Sequence, residues 1–338
     1  MNTLPTIAIV GCGRVAPRHF DSLPGRFRLV GVCDVDSEAR ARASQTYDVP
    51  GYASLEAMFA EETPDVVALA TPSGLHPEQA IFCAQRGVHV ITEKPMAIRW
   101  QDAQRMVHAF EAHGARLFEV KQNRFSPQWM YLKKVLSEGG LGRVHSIQAN
   151  LFWARPQAYY DLAAWRGTWE MDGGALMNQA IHHVDVVRWL FGPVESVQAM
   201  SATLARRIEV EDTAAVQMRF RSGAIGSMHV SMLAPNTNFE ASLTVIAEKG
   251  LIRLGGELCD QVLTWDADIE RPAEVGAAES PYGNGHPLFY QDVHEALTEG
   301  RRGLLEGREG LKALEIIIAA YRSASEGRRI SLPLEDTL

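Results

Sequence analysis

Apolar residues along the chain follow two rhythms that change over near residue 121. Up to that point short β-branched runs (TIAIV, RLVGVC, DVVALA, VHVIT and RLFEV) alternate with helical patterns such as SEARARASQTY, HPEQAIFCAQRG and QDAQRMVHAFEAHG. Continuous apolar strands separated by helices are what a parallel sheet covered on both faces requires, so this third of the chain predicts right-handed βαβ units. Past Lys121 come a helical stretch (SPQWMYLKKVLSEG), a strand (RVHSIQANLFW) and the irregular ARPQAYYDLAAWRGTWEMD. From Val194 onward VESVQAMSATL, TAAVQMRF, AIGSMHVSML, ASLTVIAE and GLIRLGG read as successive strands, with RSG and EKG as turns between neighbours. A glycine-rich PYGNGHP then precedes two helices, around LFYQDVHEAL and LKALEIIIAAYRSA. The pattern predicts an α/β protein of two domains, residues 1–121 built on a parallel sheet and residues 122–338 on a large open, mostly antiparallel one.

One helix breaks its own pattern. In GGALMNQAIHHVDVVRW, residues 173–189, Leu176, Ala180, Val184 and Val187 make an apolar face, but Asn178, His182, Asp185 and Trp189 also recur at helical spacing. A polar stripe on an otherwise apolar helix is expected to line a cleft, while the apolar faces anchor it.

Composition narrows the classes. With 338 residues, 46% hydrophobic and 22% charged, the chain is globular. Lys plus Arg is 33 against 41 for Asp plus Glu, a formal charge of −8 with no basic track, which argues against a nucleic-acid partner. No apolar run has the length of a membrane helix and no signal peptide is apparent. The cysteines Cys12, Cys33, Cys83 and Cys259 form no C-x-x-C pair, so a soluble, reduced, cytoplasmic protein is expected.

The first strand leads into VGCGRVA, where Gly11, Gly13 and Ala16 have G-x-G-x-x-A spacing between a strand and a helix. The first glycine permits the tight turn, the second lets the backbone approach a pyrophosphate and the small third residue allows close helix packing. Asp34 ends the second strand 34 − 11 = 23 residues on, where a carboxylate accepts from an adenosine ribose. That carboxylate would repel a 2′-phosphate and Val35 supplies no compensating cation, so NAD is expected rather than NADP. Two further strands end at Thr71-Pro72 and at Glu93-Lys94-Pro95, at the sheet edge where such folds place their sites.

Together VGCGRVA, CDVD, ATPSGLH, EKPMA and the helix with His182 and Asp185 resemble the Gfo/Idh/MocA family of NAD(P)-dependent sugar and polyol oxidoreductases. VKQNRFSP, FWARPQAYYD, WRGTWEMDGGALMNQAIHHVD, VEDTAAVQMRF and GHPLFY are similar to its WlbA-like branch, whose members oxidise the 3-hydroxyl of UDP-N-acetylglucosaminuronic acid for surface-polysaccharide sugars. The resemblance implies a Rossmann domain at 1–121 followed by a substrate-binding and oligomerising α/β domain, assembled as a homodimer or homotetramer. It implies that Lys94 and His182 flank the reacting hydroxyl, His182 as general base and Lys94 stabilising the alkoxide. The implied cofactor set is Gly11, Gly13, Arg14, Val15, Ala16, Asp34, Thr71, Pro72, His76, Glu93, Lys94, Gln122, Trp165 and Arg166. The implied substrate set is Lys94, Lys121, Asn123, Arg124, Arg155, Tyr160, Arg166, Asn178 and His182, with 2-oxoglutarate as a reoxidant used by some members.

Asn178 stands where many relatives carry Asp; an amide there orients substrate but carries no proton. Asp185 has two readings, orienting His182 or pairing with Arg188, and His183 points about 100° away as a core or interface residue. Tyr159, Trp165 and Trp169 are candidates for stacking on sugar or nicotinamide, or for core packing. No metal is expected, because adjacent histidines on a helix diverge. A free sugar, inositol or another nucleotide sugar is the alternative substrate, and an NAD-binding regulator or an assembly scaffold the alternative class.

Overall fold

The structure is a computed structural model that describes residues 4–272 and 285–334; Pro281 to Asn284 of the glycine-rich segment lie outside the described residues. Two compact units are present. The first runs to Lys121 and takes in His286–Leu311, and the second begins at Gln122 and takes in the chain from Lys312.

In the first unit β1 (Thr6–Val10), β2 (Arg28–Cys33), β3 (Gly51–Tyr52), β4 (Val66–Leu69), β5 (His89–Thr92) and β6 (Leu117–Glu119) form one sheet in the order β3-β2-β1-β4-β5-β6, with every pair parallel. The helices α1 (Ala16–Ser22), α2 (Ser37–Tyr47), α3 (Leu55–Glu61), α4 (His76–Ala84) and α5 (Trp100–His113) connect them. All four residues of β4 are buried, as a central strand covered on both faces must be. Strand order reverses between β1 and β4, so the crevice at their carboxyl ends is the expected ligand position. The short β3 and α3 were not anticipated; a two-residue strand carries no readable period.

The first unit's opening stretch ends at Lys121, and the chain later returns to that unit. Helix α9 (His286–Glu299), expected in the second domain, packs on α1 of the first unit and buries Phe289, Tyr290, Val293 and Ala296. That return rests on tertiary packing, which an amphipathic pattern alone does not specify.

The second unit holds α6 (Pro127–Ser137), β7 (Val144–Phe152), α7 (Gln157–Tyr160), a π-helical segment Ala175–Ala180 that runs into α8 (Ile181–Phe191), and then β8 (Val194–Ala202), β9 (Thr213–Phe220), β10 (Ile225–Ser231), β11 (Glu240–Ala247), β12 (Gly250–Gly255) and β13 (Gln261–Ala267). After α10 (Arg308–Glu326), β14 (Ile330–Ser331) closes an eight-stranded sheet ordered β13-β12-β11-β7-β10-β9-β8-β14. Only the β7–β10 pair is parallel among the described strands of this sheet. In β9 Ala214, Val216, Met218 and Phe220 are buried while Gln217 and Arg219 are exposed, the alternation of a sheet with one covered and one wetted face. The π-helical segment packs on β9 and β10. Among the described residues no helix is long and apolar enough to cross a membrane.

Candidate active site

The turn after β1 fits a dinucleotide. Gly11 has φ +94°, and a Cβ there would stand 2.6 Å from the carbonyl carbon and oxygen of Ala70, so only glycine is tolerated. At Gly13 a Cβ would meet nothing within 4 Å, which leaves the open backbone that a pyrophosphate needs; Gly13 and Arg14 are exposed, Val15 is half-buried and Ala16 is packed away. The Asp34 carboxylate accepts from the amides of Cys12 (2.6 Å) and Asp36 (2.8 Å). A carboxylate has about four acceptor positions, so capacity remains for ribose hydroxyls. One cation went unnoticed in the sequence: Arg40 donates to the Asp34 carbonyl at 2.7 Å, a turn into α2 from the exposed Val35. Burial, with Asp34 beside it, pushes the Cys12 thiol up to about 12.

At the next strand ends the side chains hold both one another and the backbone. The Thr71 hydroxyl donates to Gln79 at 2.6 Å, and Pro72 is half-buried. His76 is fully buried, with Nε2 2.9 Å from the Thr71 carbonyl and Nδ1 2.9 Å from that of Pro95; burial holds it below the ordinary histidine value. A neutral ring carries a single N–H, so His76 donates to one of these two carbonyls and packs its other nitrogen against the second. The Lys94-Pro95 bond is cis, and Lys94 is half-buried. Glu93 is buried, with Oε1 3.2 Å from His19 Nε2 and 3.9 Å from His286 Nε2 and with Oε2 accepting from the Lys94 amide at 3.1 Å. Burial opposes that charge, but the two imidazoles outweigh it and hold the carboxyl well below its usual range. Lys121, expected on substrate, is buried: its ammonium pairs with Glu119 at 2.7 Å and donates to the Gly310 carbonyl at 3.0 Å.

In the second unit the polar stripe divides. Asn178 and His182 are half-buried on a segment whose other residues, Ala175 to Val187, are buried. Asp185 is buried too, and both its oxygens accept from Arg124 at 2.6 Å. Arg124, expected on substrate, is only 1% exposed and lies over the Trp189 ring at 5.5 Å. The two are 61 residues apart, so sequence spacing names neither as the other's partner. His183 is a core residue beside Trp153, held down to about 4 by burial. Gln122 is buried and Asn123 half-buried in the short 3-10 turn Gln122–Phe125.

A connected polar cluster stands beside that helix. Arg166 donates to the Tyr159 hydroxyl at 2.8 Å and lies 4.5 Å over the rings of both Tyr159 and Trp165. Arg155 donates to Gln179 at 3.1 Å and lies 5.2 Å over the Tyr159 ring. Gln179 in turn donates to Tyr159 (3.2 Å) and to Asn178 (2.7 Å), and the Asn178 amide donates to the buried Asp172. Two guanidiniums against one carboxylate suit an anion. Tyr159, not the expected Tyr160, is the residue between the arginines; Tyr160 is buried beside Gly167, and burial raises its phenol. Trp169 is exposed and packs edge-on against Tyr321.

Asp172, Gln179, Glu211 and Tyr321 were missed. Glu211 accepts from the Leu176 amide (2.8 Å) and the Tyr321 hydroxyl (2.9 Å), and a side chain at Gly174 would collide with its carboxylate. The GG of MDGGAL was the only local signal of this close approach.

The comparisons with known proteins agree with this architecture. Residues 6–121 match the oxidoreductase-family NAD-binding Rossmann fold, and residues 133–332 match the C-terminal alpha/beta domain of the same family. The chain is 48% identical to the WlbA dehydrogenase of Chromobacterium violaceum, solved in complex with NADH and UDP-GlcNAcA; the match covers 99% of this chain and 97% of that one, with a TM-score of 0.93. It is 45% identical to the WlbA dehydrogenase of Bordetella pertussis, solved with the same two ligands, over 98% and 100% of the two chains, with a TM-score of 0.92. D-apiose dehydrogenase of Paraburkholderia graminis is 26% identical over 96% of this chain and 89% of its own. With both domains matched, the chain belongs to the Gfo/Idh/MocA family of NAD(P)-dependent oxidoreductases.

Proposed function

We propose that the protein oxidises the 3-hydroxyl of UDP-N-acetylglucosaminuronic acid to the 3-keto sugar, with NAD as cofactor, in the making of surface-polysaccharide sugars. The observation that carries this reading is the likeness, over nearly all of the chain, to two dehydrogenases solved with NADH and UDP-GlcNAcA. Bound NAD supplies a nicotinamide carbon that accepts the hydride. Lys94 holds the hydroxyl oxygen and stabilises the negative charge that develops there. His182 accepts the hydroxyl proton at a ring nitrogen, a task suited to neutral imidazole near pH 7. Asn178, tied to Asp172 and Gln179, orients and does not relay protons. Arg155 and Arg166, spaced by Tyr159, offer forks for the uronate carboxylate or the diphosphate.

We read the wetted face of the second sheet, where Met200, Ile225 and Ile246 are exposed, as a contact with further subunits in a dimer or tetramer. The four free cysteines suit a cytoplasmic setting. The test is a single-turnover mix of NAD-loaded protein with UDP-N-acetylglucosaminuronic acid, followed by absorbance, with 2-oxoglutarate added afterwards. Reduction that is lost in Lys94→Ala and His182→Ala, and reversed by the keto acid, supports both the reaction and cofactor recycling. No reduction in protein that binds both ligands would sink the substrate and turn attention to free sugars, on which D-apiose dehydrogenase acts by name.

A further inference from the structure

The segment Glu93-Lys94-Pro95-Met96 is held by buried groups from several elements of the first unit. Glu93 Oε2 accepts from the Lys94 amide at 3.1 Å, His76 Nδ1 meets the Pro95 carbonyl at 2.9 Å, and the Met96 amide donates to Glu119 at 3.1 Å. Glu119 is in turn paired with Lys121. Such a turn has little freedom provided that its buried carboxylates keep their partners.

For Glu93 those partners come from far along the chain. His19 of α1 and His286, the first residue of α9, both lie with Nε2 within ion-pair distance of Glu93 Oε1, at 3.2 and 3.9 Å. The groups facing this carboxylate are thus His19 from α1, His286 and Tyr290 from α9, His76 from α4 and Lys94 in its own turn. His19 is fully buried, and its Nδ1 is 2.7 Å from the Tyr290 hydroxyl. The rings of His19 and His286 meet edge to face at 6.2 Å.

We propose that His19 and His286 are positioning residues of the reaction: together they hold Glu93 as a buried anion, and Glu93, through the Lys94 amide, fixes the turn that presents Lys94 to the substrate. This rests on the role given above to Lys94. Neither histidine touches the reacting atoms; both act through Glu93. The arrangement also gives α9 a reason to return to the first unit, since its first residue completes the carboxylate's partners.

The test uses the full-length, NAD-loaded protein with His19→Phe and His286→Phe, which remove the donor, and His19→Gln, whose amide can still reach Glu93. Single-turnover hydride transfer from UDP-N-acetylglucosaminuronic acid is expected to slow roughly 10- to 100-fold in either Phe variant, a loss typical of a reacting group displaced by about 1 Å. NADH affinity, read by fluorescence, is expected to change much less, and His19→Gln to recover most of the rate. Acetylation of Lys94 by acetic anhydride, followed by mass spectrometry without substrate, is expected to change relative to the other lysines in the Phe variants and to be restored by Gln. Phe variants that bind NADH and keep both the wild-type rate and the wild-type Lys94 labelling would overturn the proposal. A merely structural role would lower the melting temperature and leave rate and labelling alone, which overturns it equally. Should wild-type protein fail to oxidise the nucleotide sugar, the functional reading falls, and the labelling arm still decides the positioning role. Should one Phe variant not fold, the other and the Gln variant carry the same comparison.

Discussion

Glu211→Gln is expected to remove a pH dependence of stability that the wild-type protein carries. Glu211 is buried at the start of the helix that bears Asn178 and His182, where it accepts from the Leu176 amide and the Tyr321 hydroxyl. Burial outweighs those hydrogen bonds and pushes its carboxyl up to about 7, against an ordinary 4.5. Below pH 4.5 the group is protonated in both folded and unfolded chains. Between 4.5 and 7 the fold retains a proton that the unfolded chain has released, so stability falls as pH rises, and above 7 the fold carries the full burden of a buried charge. At about 1.4 kcal/mol per pH unit, that window of 7 − 4.5 = 2.5 units amounts to on the order of 3 kcal/mol. Glutamine has the same shape and keeps an acceptor oxygen for Leu176 and Tyr321, but it does not ionise.

His183 contributes with the opposite sign. Its imidazole is held at about 4 against an ordinary 6.5, so its stabilisation is present above pH 6.5 and is lost as pH falls towards 4. Wild-type stability is therefore expected to be flattest between about pH 4.5 and 6.5 on account of this pair, where the two slopes offset, and to decline just above. Melts followed by circular dichroism at pH 5 and pH 8, for wild type and Glu211→Gln, isolate the Glu211 contribution, because every other titrating group is common to both. The variant should gain on wild type by on the order of 3 kcal/mol between the two pH values, about 4 °C in melting temperature for a chain of 338 residues. Parallel pH dependences, within about 1 kcal/mol of each other, would refute the reasoning.

Other outcomes follow from single contacts. Arg124→Met leaves Asp185 buried without its guanidinium and should destabilise by about 3–5 kcal/mol in urea, whereas Arg124→Met with Asp185→Leu should recover much of that. Gly11→Ala sets a Cβ against Ala70 and forces a positive φ on alanine, and should abolish NADH binding measured by nicotinamide fluorescence. Arg166→Ala should raise KM for the nucleotide sugar by roughly 10- to 100-fold, the worth of a charge-assisted contact, with a smaller change in kcat. Tyr159→Phe should raise the same KM about fivefold, since it removes the hydroxyl that Arg166 and Gln179 share, while Tyr160→Phe should leave it unchanged.

Periodicity made the first sheet legible because its strands are buried on both faces, so that TIAIV and DVVALA stand out from their surroundings. The cofactor turn was legible for another reason: backbone geometry at Gly11 demands glycine, and that demand appears in the sequence as a residue at a fixed spacing. Partners across long sequence distances had no such signature. His19, Glu93 and His286 meet only after α9 has returned to α1, and each alone reads as an ordinary polar residue. The same limit explains the arginines. Charge and motif picked out Arg124, Arg155 and Arg166 together, but only tertiary contacts show that a carboxylate consumes the first and that the others bracket an aromatic ring.

The polar stripe on residues 173–189 shows why spacing without backbone geometry misleads. It assumed one uniform α-helix, in which Asn178, His182 and Asp185 share a face. The opening segment, Ala175 to Ala180, is π-helical, so the α-helical count applies only from Ile181 onward. A π-helical start also leaves more amide hydrogens without partners in the helix than an α-helical one, and these need acceptors. Glu211 receives the Leu176 amide, and Gly174 provides the space for its carboxylate. The stripe is thus two things: Asp185 belongs to the interior ion pair with Arg124, while Asn178 and His182 remain half-exposed for chemistry. A carboxylate at position 178 would stand next to the buried Asp172 and add a second negative charge there. Asparagine avoids that repulsion by donating to Asp172, so an amide at this position suits its surroundings electrostatically, and Asn178→Asp is expected to weaken the helix start unless one of the two carboxyls takes up a proton.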